Sequence, residues 1–279
     1  KTMDYKRILT LQDISCLGQC SLTVALPILS ACGHETCIIP SAVLSTHTGG
    51  FTGYTFRDLT DDIPEIAAHW RKEGISFDAI YTGYLGSVRQ TEMVRDIFAT
   101  LCRPGAFKAV DPAMADNGVL YPGFSDDFVG AMAALCAGAD IVLPNITEAC
   151  LMTGTEYRTE YDMAYIESLL GALYRAGMKT VILTGVSFEP STTGVIVAEN
   201  GKAEYYRHRR LPQGCHGTGD VFASAFCGAL LRGRSKYDSA AIAADFTLKC
   251  IENTVGDESH RYGVKFETAI PDLIASLGK

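Results

Sequence analysis

No stretch of the 279-residue sequence holds the ~20 consecutive apolar residues that a bilayer-spanning helix needs. A secretory leader is not expected either, because Lys6-Arg7 runs only into Ile8-Leu9-Thr10-Leu11. The opening Lys1-Thr2-Met3 is read as including a cloning remnant. Positive charge is scarce: 24 Lys+Arg stand against 32 Asp+Glu, a net charge of -8, which argues against nucleic acid as a partner. The one basic run, Arg207-His208-Arg209-Arg210, is short and reads as a solvated strand or loop edge. The ten cysteines form no Cys-x-x-Cys pair. Cys16 with Cys20 and Cys32 with Cys37 are poorly spaced for zinc. The thiols lie scattered in apolar segments such as 131–136 and 226–231, as expected of free cysteines in a reducing cytoplasm. Several nucleotide and nucleophile signatures are also missing. There is no GxxxxGK[ST] loop, no GxSxG elbow and no protein-kinase set. Gly217-x-Gly219 is followed by Phe222 where a dinucleotide fingerprint has Gly or Ala.

What is present is a globular composition, 47% hydrophobic and 20% charged, enough for a sizeable core. The length suits one large α/β domain or two small ones. Strand-like runs are predicted at 7–12, 36–40, 79–82, 108–110, 141–143 and 180–183, and helices at 21–32, 62–73, 91–102, 128–137 and 161–176. A hairpin is predicted from 194–197 and 203–208, turning at Asn200-Gly201. Helices starting at Asp220, Lys236 and Glu267 finish the chain. This alternation predicts a largely parallel sheet with helices on both faces, and no linker or repeat interrupts it, so a single domain over 1–279 is expected. In such sheets ligands bind beyond the carboxyl ends of the strands. Gly83-Tyr84, Asp111-Pro112, Asn145 with Glu148, and Thr184-Gly185 all fall just past predicted strands.

The densest chemical signal is Gly217-Thr218-Gly219-Asp220, leading into an apolar helical stripe of Val221, Phe222, Ala225, Phe226, Ala229 and Leu230. Glycines at a helix start let backbone N–H groups approach an anion such as phosphate. An aspartate there would repel phosphate, so it serves either as a base for an attacking hydroxyl or as a helix cap. Asp111 and Glu148 offer hard oxygen ligands for Mg²⁺, directly or through water; alternatively they are a turn residue before proline and a first-turn acid.

Five ordered segments resemble the ribokinase-like superfamily and, within it, the pyridoxal (vitamin B6) kinases. They are Ser41–Thr48 (SAVLSTHT), Thr82–Ser87 (TGYLGS), Asp111–Asp116 (DPAMAD), Pro144–Glu148 (PNITE) and Gly217–Asp220 (GTGD). The resemblance covers nearly the whole chain. It implies a three-layer sandwich with a mostly parallel central sheet, a homodimer, and an ATP- and Mg²⁺-dependent kinase acting on the 5′-hydroxymethyl group of a B6 vitamer. By that resemblance Asp220 is the base, and Gly217, Thr218 and Gly219 form the anion hole. Asp111 and Glu148 attend the metal, Asp116 stands with them near the phosphates, and Asn145, Thr184 and Gly185 lie on the nucleotide side. Leu44, His47, Thr48 and Tyr84 line the pyridine pocket. Two departures stand out. Asp13 occupies a position where the family usually has Ser. It is either a partner for a ring substituent or a turn-forming Asp. Cys215, before the glycine loop, either adds reversibly to the pyridoxal aldehyde or is a small packed thiol. The rival readings are a hydroxymethylpyrimidine kinase of thiamine synthesis, a sugar or nucleoside kinase of the superfamily, and a non-catalytic B6 carrier or regulator.

Overall fold

The computed structural model describes residues 5–211 and 215–278; Lys1-Thr2-Met3 lies outside them. The first strand, β1 (Arg7–Ser15), alternates its side chains between two apolar layers: Leu9 and Leu11 enter one, Ile8 the other. β1 pairs in parallel with β2 (Glu35–Leu44) on one side and with β4 (Phe77–Thr82) on the other. Beyond β4 lie β5 (Cys102–Val110), β8 (Ile141–Val142) and β9 (Thr180–Val186), again parallel. Antiparallel strands close both edges. β3 (Phe56–Asp58) pairs with β2, and β10 (Thr192–Glu199) with β11 (Lys202–Arg209) extends from β9. The nine-stranded order is β11-β10-β9-β8-β5-β4-β1-β2-β3. A small separate ribbon joins β6 (Ala115–Asp116) to β7 (Val119–Leu120).

One apolar layer covers the face that holds α2 (Asp62–Lys72), α3 (Val88–Leu101), α4 (Asp126–Ala137), α5 (Ile146–Thr153) and α6 (Met163–Arg175). The other covers the face of α1 (Leu22–Ala31), α7 (Thr218–Leu231), α8 (Lys236–Glu252) and α9 (Ile270–Gly278). This is a three-layer α/β/α sandwich with a mostly parallel sheet. β1 leads through α1 on one face to β2, whereas β4 leads through α3 on the other face to β5. The chain therefore winds away in opposite directions from the β1–β4 junction, and a crevice opens at their carboxyl ends.

The elements extend the predicted ones in ways that matter for the site. β1 continues past Gln12 through a register shift between Gln12 and Ile14, so Asp13 sits within the strand at a bulge and is no turn residue. β9 likewise runs on through Thr184 and Gly185, expected to follow it. The hairpin turns where expected, with Asn200 and Gly201 both at positive φ, 53° and 75°. Among the described residues no helix is long and apolar enough to cross a membrane.

Candidate active site

α7 begins at Gly217, whose left-handed φ of 76° suits glycine. A Cβ there would lie 1.7 Å from the carbonyl oxygen of Gln19, so the β1–α1 loop packs directly onto the glycine. Thr218, Gly219 and Asp220 occupy the first turn, where backbone N–H groups have no carbonyl partner inside the helix. A Cβ on Gly219 would meet nothing within 4 Å among the described residues, so there is open space beside this turn. Asp220 Oδ2 accepts the backbone N–H of Ser21 at 3.0 Å. Ser21 holds φ 53° and ψ -134°, a conformation L residues rarely adopt, and it fixes that N–H on the acid. Burial pushes the Asp220 carboxyl up to about 7; repulsion from Asp13 adds to this and the Ser21 N–H opposes it.

Asp13 is 6% exposed, and its Oδ2 accepts the Ser15 hydroxyl at 3.2 Å. Burial raises it above the ordinary carboxylate range, against the hydroxyls of Ser21 and Ser15. Its charge is felt by Tyr84, just past β4, whose ring packs against Phe124 with centroids 5.5 Å apart. Leu44 is buried at the end of β2, and Thr48 is exposed just after it. Cys215 is half-buried, its carbonyl accepting the Thr218 hydroxyl at 3.3 Å, and burial raises its thiol.

Across from α7, Asp111 directly follows β5. Its Oδ1 accepts the Ala113 N–H at 3.1 Å, closing a turn in which Ala113 takes φ 37°. Glu148 stands at the start of α5 in a capping box: Asn145 Oδ1 accepts the Glu148 N–H and Glu148 Oε2 accepts the Asn145 N–H, each at 2.9 Å. Glu148 Oε1 also accepts the Met114 N–H at 3.0 Å, and Asn145 Nδ2 donates to the Ala115 carbonyl at 2.8 Å. The cap thus staples the 111–116 loop to α5. Burial, then the charges of Glu148 and Asp220, hold Asp111 well above the usual carboxylate range. Burial lifts Glu148 to about 7 against its backbone donors. Asp116 is exposed and accepts the N–H and the Nδ2 of Asn117. Thr184 donates its N–H to the Pro144 carbonyl at 2.9 Å and bridges Asn145 from β9; Gly185 beside it is exposed. The acids and the residues around them therefore lie at the carboxyl ends of β1, β4, β5 and β8 and at the start of α7.

Ser21 escaped the sequence reading, whereas Asn145, Glu148 and His47 did not. Ser21, which touches Asp220, carries no motif. The capping box was legible as Asn145-x-x-Glu148. His47 meets Tyr262 across 215 positions of sequence.

Among the described residues no three His, Cys, Asp or Glu side chains enclose a metal by themselves. The fit for Mg²⁺ is nonetheless good, because that ion takes one or two carboxylates and completes its shell with water and phosphate oxygens. Asp111 Oδ2 takes no donor among the described residues, whereas each Glu148 oxygen already accepts a backbone N–H.

A doubly wound sheet, a glycine-led helix carrying an acid, and a second acidic loop across the crevice define a kinase of the ribokinase-like class. The sequence profile of the phosphomethylpyrimidine kinase family matches residues 29–264. A candidate phosphomethylpyrimidine kinase of Bacteroides thetaiotaomicron superposes with a TM-score of 0.92 at 36% identity, covering 98% of this chain and 95% of its own. Its orthorhombic form, with pyridoxal, gives 0.90 at 37% identity over 97% and 96% of the two chains. The pyridoxal kinase of Lactobacillus plantarum gives 0.90 at 32% identity over 98% of each. A pyridoxal kinase of Granulibacter bethesdensis is 28% identical over 232 residues, 78% of this chain and 79% of that protein. The chain belongs to the phosphomethylpyrimidine kinase family, alongside the pyridoxal kinases of the ribokinase-like superfamily.

Proposed function

We propose that this protein transfers the γ-phosphoryl group of ATP to the 5′-hydroxymethyl oxygen of pyridoxal, pyridoxine or pyridoxamine, with Mg²⁺ as the accompanying cation. The observation that carries the reading is Asp220, an acid in the first turn of a glycine-led helix, lifted to about 7 and held by the Ser21 N–H at 3.0 Å. A base poised near the working pH can take a hydroxyl proton. As Asp220 takes it, the substrate oxygen bonds to the γ-phosphorus. The bond from that phosphorus to the β–γ bridging oxygen breaks, and ADP leaves with the electron pair. The free N–H groups of Thr218 and Gly219, with Gly217 shaping the turn, face the charge that develops on the transferred group. Mg²⁺, when bound, neutralises phosphate charge. Asp111 would hold it through Oδ2, and Glu148 would reach it through water while keeping the 111–116 loop in place. Asn145, Thr184, Gly185 and Asp116 line the nucleotide side. Asp13, Leu44, Thr48, Tyr84 and Cys215 line the vitamer side. The proposal treats 1–279 as one kinase domain, cytoplasmic and homodimeric, and sedimentation velocity tests the dimer.

A second reading, phosphorylation of hydroxymethylpyrimidine, is favoured by the description of the matching family. An ADP-release assay with pyridoxal, pyridoxine, pyridoxamine and hydroxymethylpyrimidine decides between them. A B6 vitamer is expected to be turned over with the higher kcat/KM. Preference for the pyrimidine would overturn the B6 reading, and no turnover of any of the four would point to a carrier.

A further inference from the structure

His47 is 6% exposed, and both of its ring nitrogens are already engaged. Nδ1 accepts the N–H of Gly49 at 3.0 Å, so the proton of the neutral ring resides on Nε2, which donates to the Tyr262 carbonyl at 3.1 Å. The same Tyr262 carbonyl accepts the N–H of Gln19 at 3.0 Å, and the His47 N–H donates to Leu17 O at 3.3 Å. The ring edge presses on Gly18, where a Cβ would lie 2.3 Å from His47 Cδ2. The ring meets Phe51 in a T-shaped contact at 5.1 Å and His216 in a tilted one at 5.3 Å between centroids. One imidazole thus joins four segments: the β1–α1 loop, the loop after β2, the residues before α7, and the loop carrying Tyr262.

What lies downstream of this knot is the reaction centre. Gln19, anchored beside His47 on Tyr262, is the residue whose carbonyl packs on Gly217. Two residues further on, Ser21 places its N–H on Asp220. A second glycine, Gly263, closes on Gln19 from the other side, with a Cβ only 2.4 Å from Gln19 Cβ. Neither ring nitrogen is left for a ligand, and the ring is enclosed by loops that frame the crevice.

We infer that His47 is a positioning residue that locks the Gln19–Ser21 segment against Gly217 and Asp220, and is not a ligand of the substrate ring. The inference rests on the kinase reading for its kinetic consequence but not for its structural one. His47→Gln keeps an N–H donor near the Nε2 position and can still reach the Tyr262 carbonyl. His47→Asn can place an acceptor near the Nδ1 position but is too short to bring a donor to the Nε2 position. Amide hydrogen exchange in the ligand-free protein is measured at Gln19 and Ser21, alongside kcat and KM for ATP and for the best vitamer. His47→Asn is expected to speed exchange at both amides at least tenfold and to lower kcat at least tenfold. His47→Gln should restore most of both, with circular dichroism and melting temperature confirming the fold of each variant. Unchanged exchange at Gln19 and Ser21 in His47→Asn, with only the vitamer KM raised, would overturn the inference in favour of a direct ligand. Equal damage from the two variants would overturn it too, because the Nε2–Tyr262 bond would then not be the link that matters. A wild-type protein inactive on every B6 vitamer would sink the kinase proposal alone and leave the exchange result standing.

Discussion

At the scale of single residues, the site's acids owe their chemistry to burial. Asp220 lifted to about 7 is ionised over only part of the neutral range, so kcat is expected to rise with pH through that region. Asp220→Asn should keep the fold and ATP binding while losing ~10²–10⁴-fold in kcat; a loss below fivefold in a steady-state assay would remove Asp220 from the base role. The same shift has a thermodynamic face. The folded state holds this proton more tightly than the unfolded chain, so its contribution to stability is complete below the ordinary Asp range and fades as pH rises through about 7. The melting temperature of Asp220→Asn relative to wild type should therefore be higher at alkaline than at acidic pH. Asp13 poses a different question, since a carboxylate 6% exposed is costly without a cationic or donor partner. A charge-assisted bond to the 4′-ammonium of pyridoxamine is worth ~1.5–3 kcal/mol, roughly ten- to a hundredfold in discrimination. Asp13→Ser is thus expected to shift kcat/KM from pyridoxamine toward pyridoxal. If the ratio stays put while all vitamers weaken alike, Asp13 instead meets the ring nitrogen or 3-hydroxyl that they share. Asp13, Asp111, Glu148 and Asp220 could be picked out from type and position. Ser21 could not, because its contribution is a backbone N–H aimed by an unusual φ, which any residue name conceals.

At the scale of elements, the two glycines that open α7 do different work, and substitution separates them. Gly217→Ala forces an L residue to φ 76° and a methyl into the Gln19 carbonyl, so melting temperature and activity should both fall. Gly219→Ala adds its methyl to open space at a helix position. There alanine is favoured over glycine by ~0.5–1 kcal/mol, and stability should hold or rise. The same methyl stands before the first-turn amides, so kcat should drop at least tenfold. Full activity in Gly219→Ala would argue against an anion hole there. The interior strands were legible because continuous apolar runs mark a buried parallel sheet. Their ends were not. The polar Asp13 and the Thr184-Gly185 pair look like turns in sequence, yet hydrogen bonds to neighbouring strands carry β1 and β9 through them. β3, β6 and β7 are too short to show a period. α5 buries most of its eight residues and so lacks an amphipathic stripe, leaving only its capping box as a sign.

At the scale of the whole molecule, the ten cysteines are all free, and only Cys16 is exposed. Burial raises Cys20, Cys136, Cys227 and Cys250 further from the thiolate than an ordinary thiol. A thiol reagent should therefore modify Cys16 first in the native protein, the partly buried Cys20, Cys37, Cys102 and Cys215 more slowly, and all ten after denaturation, read by mass spectrometry. Fast labelling of the buried Cys32, Cys136, Cys150, Cys227 or Cys250 would mean that the two apolar layers open readily. The sheet order also carries a message about birth. Every strand precedes Gly217 in the chain, and the helix bearing the base follows them all. With translation at ~5–20 residues per second, the ribosome releases a nascent chain whose nine strands can pair seconds before the last helices emerge. A message cut short after β11 would thus yield the whole sheet without the base or the glycine loop, a product able to fold part-way but not to turn over, with one face of its sheet covered by α1 alone and open for chaperones to find.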